Sequence, residues 1–491
     1  MPAPSVAFAA PHPAAADAAR TVVAAGGNAL DAALAGAAAL TVAYPHQCSI
    51  GGDLVAIVRP AGGSPRAILS IGAAATAVDV AALRASGPRM PERGPHPITV
   101  PGVIAGWAAL AAEGARLPLA DLLAPARALA AGGVPVSPGL RRAIRDGRDV
   151  VGADPGLRAL LLDSAGAPVT TLVQPALATT LDSVAADWRA FYSGALAERL
   201  VAGLTALGSP LSIDDFRAHR AEITDPLTRT IDGVTWHAAP PPVQGATFLA
   251  IAGSPDLLPA AYRARTARDV LLGDPRTGPV DLDGLLLRSP VAGTGSVAPR
   301  PAGDTVAVTA VDSDGTAVTL IQSVFFSFGS GLLDPGTGMV LHNRGSSFSL
   351  DPAHPARLVP GARPPHTLCP ALAVAGETVV ALGCQGGRSQ PWILAQVAAD
   401  VVGSPDLDAL LTRSRWVIGA EEIDRATPTL LLEPGTPDAP RLAATAAGLG
   451  LTVETTAGRH DDAGHVQVAR RSGGTLAAAG DPRADGRAVL L

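Results

Sequence analysis

The sequence predicts an α+β fold, and three observations support this prediction. The chain has 491 residues, of which 48% are hydrophobic and 16% charged, so it can bury a large core. The patterns before about residue 220 are mostly helical and amphipathic. After residue 304 the pattern changes to alternating β-branched runs. We therefore expect a globular protein that contains both helices and strands.

The N-terminal region predicts two Ala-rich helices within residues 14–43. Gly26 and Gly27 end the first helix, and Asn28 or Asp31 begins the second. The side chains of both helices are small, so we expect the two helices to pack closely.

Shorter elements follow along the chain. The Gly51-Gly52 pair predicts a turn before a buried strand at Leu54–Val58, and ITVPGVIAGW opens a helix behind a Pro-Gly turn. LADLLAPARALAAGG and ALAERLVAGLTALG predict amphipathic helices, and GVTWHAA predicts a strand. From about residue 288 to 304 the sequence (RSPVAGTGSVAPRPAG and the residue after it) has almost nothing to bury and predicts a flexible linker.

A strand-rich region begins at Thr305, directly after this linker. The runs TVAVTAVD and TAVTLIQSVFF alternate as strands do, and Ser313-Asp314-Gly315 between them is typical of a turn. MVLHNRG and ALAVAGETVVALG predict further strands, and residues 391–402 predict a helix. The sequence therefore places the start of a strand at the end of a flexible arm.

Charge and composition exclude several classes of function. The formal net charge is −6, no apolar run reaches the roughly 18 residues of a membrane span, and no dense basic cluster is present. We therefore expect neither nucleic acid nor a membrane as a partner. The chain contains no lysine, which rules out Schiff-base, Walker A and Ser-x-x-Lys chemistry.

The cysteines, the histidines and the N-terminus complete these expectations. Cys48, Cys369 and Cys384 are too few and too scattered for a disulfide framework or a zinc site, so we expect buried thiols. The histidines lack the paired spacing of metal ligands, and we expect no metal. No basic residue precedes Arg20, which argues against a secretory signal and favours a cytoplasmic protein.

The junction Gly303-Asp304-Thr305 carries a resemblance to a known family. The segments GGNALDAALAGAAALTVAYPHQCSIGGD, VPGVIAGW, QPALATTLDSVAADWRAFYSGALAERL and PPPVQGA, and the run from Asp304 to Pro370, occur in the order typical of γ-glutamyltranspeptidases. The chain therefore resembles this family of N-terminal nucleophile hydrolases over nearly its whole length. The resemblance implies the four-layer αββα sandwich of that class, built as one domain from two chains.

The resemblance implies self-cleavage at this junction, and the chemistry of threonine explains why a new N-terminus is useful there. The hydroxyl needs a neighbouring base before it attacks an amide, and a free α-amine with a reference pKa of about 8 supplies one within the same residue. The resemblance implies that Thr305 attacks the carbonyl of Asp304 and that water hydrolyses the resulting ester. The products are a large subunit, residues 1–304, and a small subunit, residues 305–491. No cofactor is implied, and a homodimer of such heterodimers stays open.

The resemblance also implies further site residues. Gly386 and Gly387 correspond to the oxyanion hole, where glycine lets two backbone N–H groups approach a tetrahedral oxygen. Ser323 corresponds to a hydroxyl that hydrogen-bonds the nucleophile. Asn343 corresponds to an amide that orients the substrate.

The acyl pocket departs from the family pattern. Ser347 aligns with the acid that holds the substrate's α-amino group. His366 and Thr367 align with two serines that hold its α-carboxylate, and Arg344 replaces a neutral amide. An arginine close to the pocket favours a carboxylate or a neutral acyl chain over a free ammonium group.

Three hypotheses for the function stay open. The first is a γ-glutamyltransferase or glutathione hydrolase, which passes the γ-glutamyl group through a Thr305 ester to water or an amine. The second is a related acylase that cleaves another small-molecule amide, such as a glutaryl-type or secondary-metabolite substrate. The third is an uncleaved binding protein without enzymatic activity. Cleavage before Thr305 separates the third hypothesis from the first two.

Overall fold

Two antiparallel sheets form the centre of the fold. The structure is a computed structural model that describes residues 5–291 and 303–491. The strands are β1 (Val6–Ala10), β2 (Asp53–Arg59), β3 (Arg66–Ser70), β4 (Val134–Pro135), β5 (Thr171–Leu172), β6 (Glu222–Thr224), β7 (Leu227–Ile231), β8 (Val234–Ala238), β9 (Gly303–Asp312), β10 (Ala317–Phe326), β11 (Leu333–Asp334), β12 (Met339–Val340), β13 (Ala371–Ala375), β14 (Thr378–Cys384), β15 (Trp416–Gly419), β16 (Thr429–Leu432), β17 (Thr452–Thr455), β18 (Val466–Ser472), β19 (Thr475–Gly480) and β20 (Arg487–Leu490). One sheet has the strand order β20-β1-β9-β10-β2-β3-β6, and the other has the order β19-β18-β14-β13-β8-β7.

Helices cover the outer faces of both sheets. They are α1 (Pro13–Ala24), α2 (Ala29–Ala43), α3 (Val80–Ser86), α4 (Val103–Ala112), α5 (Leu119–Gly132), α6 (Pro138–Asp146), α7 (Arg148–Ala153), α8 (Pro155–Leu161), α9 (Pro175–Ala186), α10 (Ala195–Ala206), α11 (Ile213–Ala218), α12 (Gly245–Ile251), α13 (Leu257–Leu271), α14 (Leu282–Leu285), α15 (Gln390–Val401), α16 (Leu407–Thr412) and α17 (Ala439–Gly448). Helices α2 and α4 pack on the seven-stranded sheet, and α12 and α15 pack on the six-stranded sheet.

The two sheets face each other across a shared apolar layer. Ile57 and Val311 from the seven-stranded sheet pack with Leu372 and Ala381 from the six-stranded sheet. Because each sheet also buries its other face under helices, the layers run helix, sheet, sheet, helix. This arrangement confirms the predicted αββα sandwich. Strand β9, which carries the predicted nucleophile, is third of seven in its sheet and therefore central.

The first two helices form for the local reasons that the sequence indicates. Helix α1 ends shortly before Gly26, whose φ of +96° few other residues adopt. Asn28 is the N-cap of α2, and its N–H donates to Asp31 Oδ2 at 2.7 Å, which completes a capping box. A Cβ atom added at Gly36 would lie 2.7 Å from the Phe8 ring, so α2 lies directly on β1. The predicted close packing of the Ala-rich region is confirmed.

Strand β9 begins at Gly303, two residues before the predicted start at Thr305. A bulge in β10 lets Asp304 pair with Phe325, so sheet hydrogen bonds hold this end of the predicted linker. The prediction of a flexible linker as far as residue 304 is therefore wrong for its last two residues. Residues 292–302, which make up most of that linker, lie outside the described residues.

Other expectations concern membrane, metal and thiol chemistry. Within the described ranges, every helix is too short or too polar to cross a bilayer. Those same ranges bring together no group of three or more His, Cys, Asp and Glu side chains that could hold a metal ion. Cys48, Cys369 and Cys384 are buried free thiols, as predicted.

Candidate active site

Thr305 and Ser323 lie side by side on neighbouring strands. The Thr305 hydroxyl, which is buried, donates to Ser323 Oγ at 3.2 Å. Ser323 Oγ donates in turn to the carbonyl oxygen of Asp304 at 2.6 Å and accepts from the Phe325 N–H at 2.8 Å. A serine hydroxyl has one donor and two acceptor sites, so all three are occupied here.

This hydrogen-bond chain includes the carbonyl of the peptide bond between Asp304 and Thr305. The Ser323 proton points at the oxygen that becomes negative if Thr305 attacks the Asp304 carbonyl carbon. The Thr305 proton points at Ser323, which leaves the lone pairs of the Thr305 oxygen for that attack. The arrangement is therefore suited to cleavage of the chain at this bond.

The bulge in β10 places Ser323 where it can reach that carbonyl. Regular pairing with β9 ends at Gln322, and it resumes at Phe325, which has a φ of +77°. A positive φ is strained for an aromatic residue, so the surrounding structure must hold it. The Phe326 N–H donates to Asn343 Oδ1 at 3.1 Å and fixes the far side of the bulge.

Asn343 and Ser347 use their polar groups inside the fold. The Asn343 amide accepts from Phe326 and donates to the carbonyl of Glu92 at 2.7 Å. The Ser347 hydroxyl lies 2.6 Å from the carbonyl oxygen of Arg344. Asn343 therefore supports the β10 backbone next to the bulge, and Ser347 supports the segment that carries Arg344.

The Gly386-Gly387 turn packs against β9. The φ values of these residues are +145° and +50°, which explains the need for glycine. Gln244 Nε2 donates to the Gly387 carbonyl at 2.9 Å, and Arg268 donates to Gln244 Oε1 at 2.9 Å and to the Arg388 carbonyl at 2.6 Å. Within residues 5–291 and 303–491, no backbone carbonyl accepts the N–H of either glycine. Gln244 and Arg268 thus fix a turn whose N–H groups stay available.

Arg344 is buried, with an exposed fraction of 1%. Its guanidinium lies 3.8 Å from the centroid of the Phe325 ring, and Nη1 donates to Thr367 Oγ1 at 3.1 Å. Nη2 has no hydrogen-bond partner, and no carboxylate within the described ranges forms an ion pair with this arginine. Burial lowers the pKa of Arg344 to about 9, although the negative charge of Asp53 opposes the fall. Burying a cation without an adjacent anion costs free energy. The position of Arg344 therefore favours the binding of an anionic ligand.

The imidazole of His366 turns away from the pocket toward the buried carboxylate of Asp53. His366 Nε2 lies 3.2 Å from Asp53 Oδ2, and His342 Nδ1 lies 3.5 Å from the same oxygen. Burial, followed by the charge of Arg344, lowers the pKa of His366 to about 3, so this ring is neutral at pH 7. The structure therefore brings His366 close to Arg344 but aims its ring at another protein group.

One narrow pocket is lined by three of the predicted substrate-binding residues, Ser347, His366 and Thr367. Asp269 also lines this pocket, but Arg268 donates to its Oδ1 at 3.0 Å and Arg388 donates to the same oxygen. The pocket therefore holds more positive than negative charge. The one carboxylate in its wall is already occupied by arginines.

Asp304 lines a second pocket. Arg93, Asp461 and His465 line this pocket. Burial raises the pKa of Asp304 to about 6, although Ser327 and His465 oppose the rise. Asp304 is thus the titratable group that lies next to the predicted cleavage point.

Known proteins resemble this chain over most of its length. The sequence model of the gamma-glutamyltranspeptidase family matches residues 15–254 and 287–491. The chain belongs to this family. It is 37% identical to the oxamate amidohydrolase proenzyme of Klebsiella pneumoniae, over 98% of this chain and 97% of that protein. It is 35% identical to the glutathione hydrolase-like YwrD proenzyme of Bacillus subtilis, over 83% and 84%.

Solved structures give the same result for the fold. The cephalosporin acylase from Bacillus halodurans superposes with a TM-score of 0.87 and 30% identity, over 99% of this chain and 96% of that chain. The predicted resemblance to γ-glutamyltranspeptidases and the predicted fold class are confirmed. This member of the family is therefore an amidohydrolase of the N-terminal nucleophile type.

Three residues of the site in this γ-glutamyltranspeptidase-family chain are absent from the sequence-based prediction: Asp53, Gln244 and Arg268. The sequence does single out Asp53, because this carboxylate directly follows Gly52 and begins an otherwise apolar strand. Gln244 lies within PPPVQGA, one of the segments that carry the resemblance. Arg268 is one of several arginines in α13, and nothing in its spacing distinguishes it.

Proposed function

We propose that this chain is a self-processing amidohydrolase with Thr305 as its nucleophile, and that its substrate is a small amide whose acyl group carries a carboxylate, as oxamate does. The observation that carries the proposal is Arg344, a buried guanidinium with an unused N–H group and no carboxylate partner among the described residues. The 37% identity to an oxamate amidohydrolase over almost the full length supports the same class of substrate.

Maturation begins with the attack of the Thr305 hydroxyl on the carbonyl carbon of Asp304. The hydroxyl proton passes to the Thr305 nitrogen as the bond from that carbon to the nitrogen breaks, and an ester to Thr305 Oγ1 replaces the amide. Ser323 stabilises the negative oxygen during this step, because its hydroxyl already donates to that oxygen. Water then hydrolyses the ester, which releases residues 1–304 and leaves Thr305 with a free α-amine.

Turnover uses the same hydroxyl with this new amine as the base. The amine takes the Thr305 proton as the oxygen attacks the substrate carbonyl, and it passes the proton to the departing nitrogen. The N–H groups of Gly386 and Gly387 stabilise the tetrahedral oxygen. Water then releases the acyl group. With oxamate the products are oxalate and ammonia.

The position of Arg344 explains the preference for a carboxylate. Its guanidinium lies on the ring of Phe325, and the backbone of Phe325 pairs with Asp304, the residue before the nucleophile. In this proposal the carboxylate of a two-carbon acyl group binds Arg344 beside the Phe325 ring. An arginine pairs with a carboxylate through two parallel hydrogen bonds, which orients the substrate as well as binding it.

The second candidate is γ-glutamyl transfer, which the B. subtilis relative named glutathione hydrolase-like favours. A γ-glutamyl group carries an ammonium that needs a nearby acid. Ser347 supplies no negative charge, and Asp269 is held by Arg268 and Arg388. We therefore place this candidate second.

The test combines cleavage with a substrate panel. Denaturing gels and intact mass of the purified wild type should show fragments that end at Asp304 and begin at Thr305, whereas Thr305→Ala should stay whole. The processed protein should release ammonia from oxamate and leave γ-glutamyl-p-nitroanilide unchanged. A wild type that stays whole contradicts the nucleophile, and the reverse substrate preference contradicts the proposed acyl group.

A further inference from the structure

Asp53 lies at the meeting point of three segments of the candidate site. Its backbone pairs with Ser323 across β2 and β10. Its side chain is fully buried and accepts from the Gly72 N–H at 2.9 Å. Oδ2 contacts the rings of His342 and His366. One carboxylate thus connects the strand of Ser323 with both histidine segments.

A carboxylate that only accepts hydrogen bonds sets the proton position of a ring that is hydrogen-bonded to it. His366 must carry its proton on Nε2, which faces Asp53, and its Nδ1 then accepts from the Leu368 N–H at 3.4 Å. His342 lies beside the same carboxylate, with Nδ1 3.5 Å from Asp53 Oδ2, while its Nε2 lies 2.9 Å from the Thr99 carbonyl oxygen and 3.1 Å from the Thr99 hydroxyl. Asp53 therefore orients the His366 imidazole and lies next to that of His342.

These rings belong to the segments that hold Arg344. His342 lies two residues before Arg344, and His366 directly precedes Thr367, whose hydroxyl accepts from Arg344. Asp53 is also the charge that opposes the cost of burying Arg344. The carboxylate thus acts on the arginine through its electric charge and through the two segments that hold it.

We propose that Asp53 is a positioning residue for the Arg344 subsite and, without touching the substrate itself, decides how well that subsite binds the carboxylate of the acyl group. The inference rests on the proposed function, because it assigns Asp53 to the same site. Asp53 holds the His366 ring in a fixed orientation, lies beside the His342 ring and offsets the positive charge of Arg344. The protein then presents the arginine in one geometry before the substrate arrives.

The decisive variant is Asp53→Asn, which keeps the size of the side chain but removes its charge and replaces one acceptor with a donor. We expect the variant to cleave itself as the wild type does. The KM for oxamate and the inhibition constant of oxalate should each rise about 10- to 100-fold, with kcat changed by less than about threefold. A merely structural role predicts no selective effect on anion binding.

A double-mutant cycle with Arg344→Gln tests whether Asp53 acts through the arginine. In that background Asp53→Asn should change the KM by less than about threefold, because the subsite is already lost. Asp154→Asn is the matched control. Asp154 is also a buried carboxylate, but it caps α8 by accepting from the Leu157 N–H at 2.7 Å. This control should lower the melting temperature and leave the KM unchanged.

The outcomes separate this inference from the function on which it rests. An unchanged KM and oxalate inhibition constant in Asp53→Asn overturn the inference alone. An equal effect of Asp53→Asn with and without Arg344 also overturns it, because Asp53 then acts elsewhere. A processed wild type that neither hydrolyses oxamate nor binds oxalate overturns the proposed substrate class, and the inference falls with it.

Discussion

The two ends of the candidate site differ in how completely the chain satisfies its own polar groups. At the nucleophile end, Ser323 uses its donor and both acceptors on Thr305, Asp304 and Phe325. At the acyl end, Arg344 keeps an unpartnered Nη2 and no carboxylate partner within the described part of the chain. The donor and acceptor sites of Ser323 at the first end are all paired within the protein. At the second end, one N–H group of Arg344 is not.

This difference separates maturation from turnover. In the proposed function, the first end contains both the attacking group and the bond that it attacks, so cleavage needs only water. In the same proposal, the second end binds the carboxylate of the substrate. Substitutions at the nucleophile end should therefore stop or slow processing. Substitutions at the acyl end should leave processing intact and weaken substrate binding.

The largest effect is expected for Thr305→Ala. Without the hydroxyl no ester can form, so the chain should stay whole and amidase activity should fall by on the order of 10⁴-fold or more. Thr305→Ser keeps a hydroxyl and is the matched control, which should still cleave. Intact mass and ammonia release measure both effects. Processing of Thr305→Ala at the same bond would assign the nucleophile to another residue.

The next largest effect is expected for Ser323→Ala. Loss of the donor to the Asp304 carbonyl should slow self-cleavage by about 10²- to 10³-fold, as the loss of one oxyanion donor does elsewhere. A time course on denaturing gels measures the rate. Ser330→Ala removes another buried hydroxyl, which donates to the Leu341 carbonyl at 2.8 Å, and should cleave at the wild-type rate. Equal rates for both variants contradict a role for Ser323.

The acyl end is tested by Arg344→Gln. The variant should process normally, and its KM for oxamate should rise about 100-fold, because a charge-assisted pair contributes about 2–3 kcal/mol. Arg229→Gln is the control, since Arg229 also donates to backbone carbonyls, among them that of Ala250 at 3.0 Å, outside the site. If Arg344→Gln no longer cleaves itself, processing also depends on the acyl end, and the two ends do not have separate roles.

The sequence predicts the nucleophile end better than the acyl end, because the interacting residues of the nucleophile end are closer together along the chain. Asn28 as a helix cap and the β9–β10 hairpin depend on residues close in the chain, so their patterns show in the sequence. The offset of Ser323 from Thr305 lies within that same hairpin. The start of β9 differs from the prediction because the bulge in β10 extends the pairing to Asp304.

The acyl end depends on contacts between distant parts of the chain. Asp53 and His366 are 313 residues apart in sequence, yet their side chains touch. Its alignment with the family predicts His366 as a substrate ligand. In the structure its ring faces Asp53, because a buried carboxylate must be hydrogen-bonded and the His366 N–H supplies a donor. Only the fold shows that Arg344 is fully buried.

The smallest expected effect is a pH dependence of the free energy of unfolding. It arises at the nucleophile end and not at the acyl end. Burial raises the pKa of Asp304 to about 6, above the roughly 3.9 of an unfolded aspartate. Between these values the folded chain binds more protons than the unfolded chain, so the free energy of unfolding falls as the pH rises through this window and stays lower above it. The full shift corresponds to about 3 kcal/mol, and we expect about 1–2 kcal/mol because Asp304 is only partly buried.

Calorimetry on chains that cannot cleave isolates this effect. In the Thr305→Ala background, Asp304→Asn should raise the melting temperature by about 1–3 °C at pH 7.5 and leave it unchanged at pH 4, where the carboxyl is protonated in the folded chain. Arg344→Gln in the same background should shift the melting temperature by the same amount at both pH values, because the arginine stays charged throughout. A pH-independent shift for Asp304→Asn would show that lost contacts, and not a buried charge, account for the effect at the nucleophile end.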